Sequence, residues 1–87
     1  MTDNKWKKFE DLAAHIQRRL SPEAVVRQNE YILGKRSKRK RQIDITVRKE
    51  VRPYELLIVI DCKDYKRPVD VKDVESFIGL TKDVGAN

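Results

Sequence analysis

Five apolar residues in a row, Leu56-Leu57-Ile58-Val59-Ile60, stand in a chain of 87 residues of which 39% are charged. Where apolar residues are this scarce, an unbroken run of branched side chains reads as a central strand covered on both faces. The run stops abruptly at Asp61-Cys62-Lys63. Side chains alternate along a strand, so Asp61 and Lys63 share one face and Cys62 points the other way. The rest of the fold has to be built around that strand.

Upstream, Ile43, Ile45 and Val47 alternate with Asp44, Thr46 and Arg48, the period of a half-buried strand. Glu50 to Tyr54 contains a proline and reads as a turn. If Val51 to Tyr54 form a four-residue hairpin turn, Asp44 falls directly opposite Asp61, with Cβ atoms roughly 5 Å apart. Residues 24 to 33, rich in Val, Tyr and Ile and ended by Gly34, predict another strand. Trp6, Phe9, Leu12, Ala13, Ile16 and Leu20 recur at helical spacing and predict an amphipathic helix over about 4–20, stopped by Ser21-Pro22. After Pro68, Asp70 is placed to cap a second helix with Asp73 in its first turn. Val71, Val74, Phe77, Ile78 and Thr81 form its stripe to about Asp83, and Gly85 ends it. The order helix, three strands, helix gives an α/β (α+β) fold in one domain, residues 1–87, with no internal repeat or linker.

Two carboxylates that close repel each other unless a cation sits between them. Mg²⁺ (or Mn²⁺) prefers oxygen ligands and is commonly held by one or two carboxylates plus substrate phosphate. Lys63 beside such a pair can position or deprotonate an attacking water, or neutralise charge on a pentavalent phosphate. The alternative reading is an Asp–Lys pair that merely ends a strand at the surface.

Between the first two strands, residues 35 to 41 hold six Lys or Arg around Ser37, and the chain as a whole carries net charge +6 with a pI near 9.6. This favours a polyanionic partner. Lys35, Arg36, Lys38, Arg39, Lys40 and Arg41, as a flexible loop, suit a phosphate backbone. Gln42 and Lys66 extend the same surface. A solvated hairpin tip is the plainer alternative. Tyr65 either stacks on a sugar or base or packs under the following helix. The lone Cys62 excludes an internal disulfide and agrees with a reducing, cytoplasmic setting. The N-terminus lacks an apolar signal core, and no apolar run is long enough to span a bilayer.

The segments Gln42-Ile43-Asp44-Ile45 and Val59-Ile60-Asp61-Cys62-Lys63-Asp64-Tyr65-Lys66-Arg67-Pro68-Val69 resemble the PD-(D/E)xK nuclease superfamily, in particular its restriction-endonuclease-like domains of the Mrr type. The likeness covers nearly the whole chain, from Phe9-Glu10 to Gly85-Ala86. It implies a metal-dependent endonuclease acting on DNA, with Asp44, Asp61 and the backbone carbonyl of Cys62 on a Mg²⁺ (or Mn²⁺) ion and Lys63 as the catalytic lysine. Glu10, on the first helix, would join them; a solvated helix carboxylate is its other reading. A non-catalytic nucleic-acid-binding module on the same scaffold, or an RNA- or junction-directed nuclease, is the rival reading. Ile43 stands where family members often have proline. The family core continues into a fourth strand, missing here because the chain ends at Gly85-Ala86-Asn87. The sequence therefore reads as a truncated piece, whose third strand has an edge open to another copy in a homodimer or higher oligomer.

Overall fold

A computed structural model describes residues 5–62 and 68–87 of the chain. The elements follow in the order α1 (Lys5–Leu20), β1 (Val25–Leu33), β2 (Lys40–Val51), β3 (Tyr54–Ile60) and α2 (Val71–Val84). The three strands form one antiparallel sheet in the order β1-β2-β3. This α+β arrangement is consistent with a restriction-endonuclease-like fold.

The central strand is β2, with a neighbour on each side, and the apolar run of β3 lies at the edge of the sheet. None of Leu56 to Ile60 is fully buried, whereas Ile43, Ile45, Thr46 and Val47 of β2 are. In an antiparallel meander the middle strand is the one closed off on both sides, whatever its neighbours' hydrophobicity. Thr46 is tolerated there because its hydroxyl donates to Glu30 Oε1 at 2.6 Å, an oxygen that Arg48 Nη1 also reaches at 2.5 Å. The β2–β3 turn is tight: Val51 pairs with Tyr54 across the cis Arg52–Pro53 peptide, and Ile45 pairs with Ile60.

Helix α1 packs on the face carrying Val26, Ile45, Val47 and Cys62, with Ala14 at the centre of the contact and Ala13, Ala24 and Ile60 around it. Its expected apolar stripe is not what it buries. Phe9, Leu12, Ile16 and Leu20 are 61, 54, 44 and 72% exposed, while Glu10 and Ala14 are fully buried. Small residues let the helix lie close to the sheet, and that turns the larger apolar side chains outward. The side chain of Trp6 lies outside the described residues. On α2 likewise, Val71, Val74 and Ile78 are exposed, while Phe77 and Thr81 are partly covered.

The ends of α2 are well determined by local chemistry. Asp70 and Asp73 form a capping box, with Asp70 accepting from the Asp73 amide at 3.1 Å and Asp73 from the Asp70 amide at 3.0 Å. Gly85 takes the left-handed conformation, φ 76°, and the Ala86 amide returns to the Thr81 carbonyl. The last residue, Asn87, closes part of the β3 edge expected to be bare. Its amide donates to the Leu57 carbonyl at 2.8 Å, and its side-chain oxygen accepts from the Leu57 amide at 2.9 Å.

The basic segment is shorter and more ordered than the sequence suggested. Lys40 and Arg41 belong to β2, and the remainder is a turn closed by the Gly34 amide on the Arg39 carbonyl at 2.7 Å. Asp83, at the end of α2, holds it. Oδ1 accepts from the amides of Arg36 and Ser37 at 2.9 and 3.0 Å, and Oδ2 accepts from Ser37 Oγ at 2.6 Å and Arg41 Nη1 at 2.7 Å. The Asp83 carbonyl also accepts from the Lys35 amide. Gly34 sits beneath: a Cβ there would lie 2.2 Å from Asp83 Oδ2 and 2.4 Å from Ser37 Oγ. Gly34→Ala is therefore expected to cost about 1–3 kcal/mol by displacing this knot, measurable as a lowered midpoint in urea unfolding.

Candidate active site

Three elements converge at one end of the sheet. The β2–β3 pairing makes Asp44 and Asp61 the next opposed positions beyond Ile45 and Ile60. Asp61 lies one residue past the end of β3, and what holds it beside β2 is a side chain: the Cys62 amide donates to Asp44 Oδ2 at 2.9 Å. Cys62 itself is buried in the α1-facing core. One residue therefore anchors the strand end in apolar packing, while its backbone is pinned by the first acid. Asp44 is half-buried and Asp61 exposed. Lys63 and Lys66 lie outside the described residues, as do Tyr65 and Arg67.

The pair has a third neighbour in the β1 register. Gln28 opposes Ile45 and Glu30 opposes Ile43, so Asn29 stands opposite Asp44, in the left-handed region at φ 54°. Asn tolerates that conformation better than most side chains. From there its Nδ2 donates to Glu10 Oε1 at 3.3 Å, and its Oδ1 accepts from Gln42 Nε2 at 3.4 Å. Gln28 Nε2 donates to the same Glu10 oxygen at 3.1 Å. Glu10 is thus no solvated helix carboxylate. It is fully buried, and its Oε2 has no hydrogen-bond partner among the described residues. An orphaned buried carboxylate oxygen is costly and rare in a settled fold.

Among the described residues no three acidic, His or Cys side chains gather into a cluster; Asp44 and Asp61 are brought into opposed positions by the strand register. This donor set still suits a hard cation such as Mg²⁺, which keeps several waters and takes one or two carboxylates, with the substrate phosphate completing the shell. Asp44 Oδ1 accepts no hydrogen bond from the described residues, since the Cys62 amide goes to Oδ2.

The face of the sheet toward α2 offers space for a substrate. A hollow of about 220 Å³ is lined by Asp61, Gln42 and Arg41 on one side and by Asp73, Ser76, Phe77 and Leu80 on the other. Of the basic residues named from the sequence, Lys35, Arg36, Lys38, Arg39 and Lys40 are exposed. Arg41 is more enclosed and turned to Asp83. Asn29, Ser37 and Asp83 were not singled out by the sequence; their clues, an Asn inside a strand and a lone Ser among bases, are faint without coordinates.

With the geometry in place, comparison with known families is decisive. The whole chain, residues 1–87, matches the family Mrr_cat, described as restriction endonuclease. The chain belongs to that family. Comparison with curated proteins gave no match, nor did comparison with solved structures. Membership makes this a nuclease-family domain, and nucleases of this restriction-endonuclease-like kind typically use divalent metals. No helix among the described residues is long and apolar enough to cross a membrane.

Among the carboxylates that shape the response to pH, two hold the sheet and the basic turn together. The hydrogen bonds from Ser37, reinforced by those from Arg36 and Arg41, hold Asp83 well below its ordinary value of 3.8. The Arg48 hydrogen bond, with help from Thr46, holds Glu30 below 4.5. Both groups keep their charge in the folded state at a pH where the unfolded chain takes up protons. Their contribution is full above the ordinary carboxylate range and is lost as pH falls toward the depressed folded values. A thermal-melting series should show little carboxylate-linked loss down to about pH 5 and a progressive fall in Tm below it. Asp83→Asn should flatten that acid limb while lowering Tm at neutral pH.

Proposed function

We propose that this chain carries the site of a metal-dependent endonuclease that hydrolyses DNA phosphodiester bonds. The observation that supports it most is the Asp44–Cys62 hydrogen bond, which keeps the acid-bearing end of β3 against β2 beyond the last ladder pair. Asp44 and Asp61 would hold Mg²⁺ or Mn²⁺, assisted by the Cys62 carbonyl. When bound, the cation supplies polarisation of the phosphoryl oxygen and a lowered pKa for water. Lys63 would orient the attacking water and offset charge on the phosphate. Glu10 would take part through Oε2, which has no hydrogen-bond partner among the described residues, steadied by Gln28 and Asn29. The exposed bases from Lys35 to Lys40, with Arg41, Gln42 and Lys66, would hold the DNA backbone.

The test is plasmid cleavage with Mn²⁺. Asp44→Asn, Asp61→Asn and Lys63→Ala should each lower the rate on the order of 10²–10⁴-fold while leaving the circular dichroism spectrum unchanged. Glu10→Gln should lower the rate with no loss of Tm, because a neutral amide is easier to bury than a carboxylate with one idle oxygen. Native protein and Lys63→Ala cutting alike would overturn the proposal. DNA binding without cleavage by either would favour the rival, a non-catalytic binding module.

Association of copies along the β3 edge belongs to the same proposal. The apolar side chains of α1 that face outward add to the surface such contacts could cover. Light scattering on the eluted protein should give at least a dimer mass; monomer at all concentrations would count against it.

A further inference from the structure

Beside the acid-lined hollow, and sharing Arg41 and Ser76 with it, lies a second and larger cleft of about 510 Å³ between the basic turn and α2. Arg36, Ser37, Gly79 and Asp83 complete its lining. Asp83 is a negative group in this cleft, but its two oxygens already accept four hydrogen bonds, including the Arg41 ion pair. Arg36 gives Asp83 only its backbone amide. Its guanidinium makes no hydrogen bond or ion pair among the described residues. The turn that carries it is fixed, so the charge is presented from a rigid platform, at a smaller ordering cost on binding than a loose loop incurs.

Opposite Arg36, the wall of α2 opens at Gly79. A Cβ built there meets nothing within 4 Å. Packing does not demand a glycine at this point, and a helix interior disfavours one. Its effect is to leave the cleft clear beside Ser76, one turn away.

We propose that this cleft seats a backbone phosphate of duplex DNA next to the one that enters the acid-lined hollow, with Arg36 and Ser76 as its contacts and Gly79 as the gap that admits it. The inference rests on the nuclease reading for the neighbouring phosphate, but its test does not. Fluorescence anisotropy of a labelled duplex is measured in EDTA, where no cleavage occurs, so a failure of the cleavage assay leaves this result intact.

Gly79→Glu adds a carboxylate on the wall of the cleft, at a position where a Cβ meets nothing within 4 Å, and improves helix propensity. It should weaken duplex binding at least tenfold, with Tm unchanged or raised. Gly79→Ala should bind within about twofold of the native protein. Arg36→Gln should weaken binding and reduce the slope of log K against log salt by about 1, the loss of one phosphate contact. Pro22→Glu, in the exposed turn after α1, adds the same charge elsewhere and should have little effect. Native affinity in Gly79→Glu, an unchanged salt slope in Arg36→Gln, or equal weakening by Pro22→Glu would each overturn the proposal.

Discussion

A single carboxylate, that of Asp83, decides how the second helix meets the rest of the chain. Half of α2's own apolar side chains, Val71, Val74 and Ile78, face outward, although Val84 at its end is buried. What joins it to β1 and β2 is polar: two backbone amides, a hydroxyl and a guanidinium, all turned onto one side chain. Charge-assisted bonds of this kind are short and directional. They fix the angle of the helix, the path of the basic turn and the position of Arg41 together. Because the carboxylate is enclosed, losing one donor leaves an oxygen poorly satisfied, so the knot behaves as a unit rather than as four separate bonds.

The same economy runs through the α1 side. The buried apolar core is small, drawn from Ala14, Val26, Ile45, Val47 and Cys62. Into this limited interior the fold also admits Glu10, and on the other face of β2 it buries Thr46. Thr46 is satisfied by Glu30. Among the described residues Glu10 is satisfied at one oxygen only, and departures from polar satisfaction of this kind tend to mark function rather than stability. Its two amide partners, Gln28 and Asn29, come from the stretch of β1 opposite Ile45 and Asp44, so the buried helix carboxylate is held by the strand next to the acid-bearing one.

Much of the architecture was legible in the sequence where one local rule governed. Asp70, Asp73 and Gly85 delimit α2 by capping chemistry that needs no tertiary context. The hairpin register followed from a turn at Val51 to Tyr54 and the alternation on either side, although Val51 and Tyr54 themselves pair and leave only Arg52 and Pro53 in the turn. Reading failed where the answer depended on what lay opposite. The spacing of Phe9, Leu12, Ile16 and Leu20 shows a helix but not which face it buries, and a face containing Ala13 and Ala14 packs closer. Hydrophobicity marked Leu56–Ile60 as the centre of the sheet, but strand order, not apolar content, sets the centre. Asp83 looked like the end of a helix because its partners are more than forty residues away. For the candidate site, the two acids were visible from their spacing, whereas Asn29 needed a backbone angle that no pattern encodes.

The alternation along β2 ties chemistry to folding more tightly than in a site built on loops. Odd-numbered Ile45 and Val47 form the floor beneath α1, with Ile43 buried further along the strand, and even-numbered Asp44, Thr46 and Arg48 alternate with them. A slip of one position relative to either neighbouring strand would exchange the two sets, driving a carboxylate and a guanidinium beneath the helix and three aliphatic side chains into water. No partly misaligned sheet could keep its interior while mispointing its acids. Quality control of the fold and correct aim of Asp44 are therefore one and the same event.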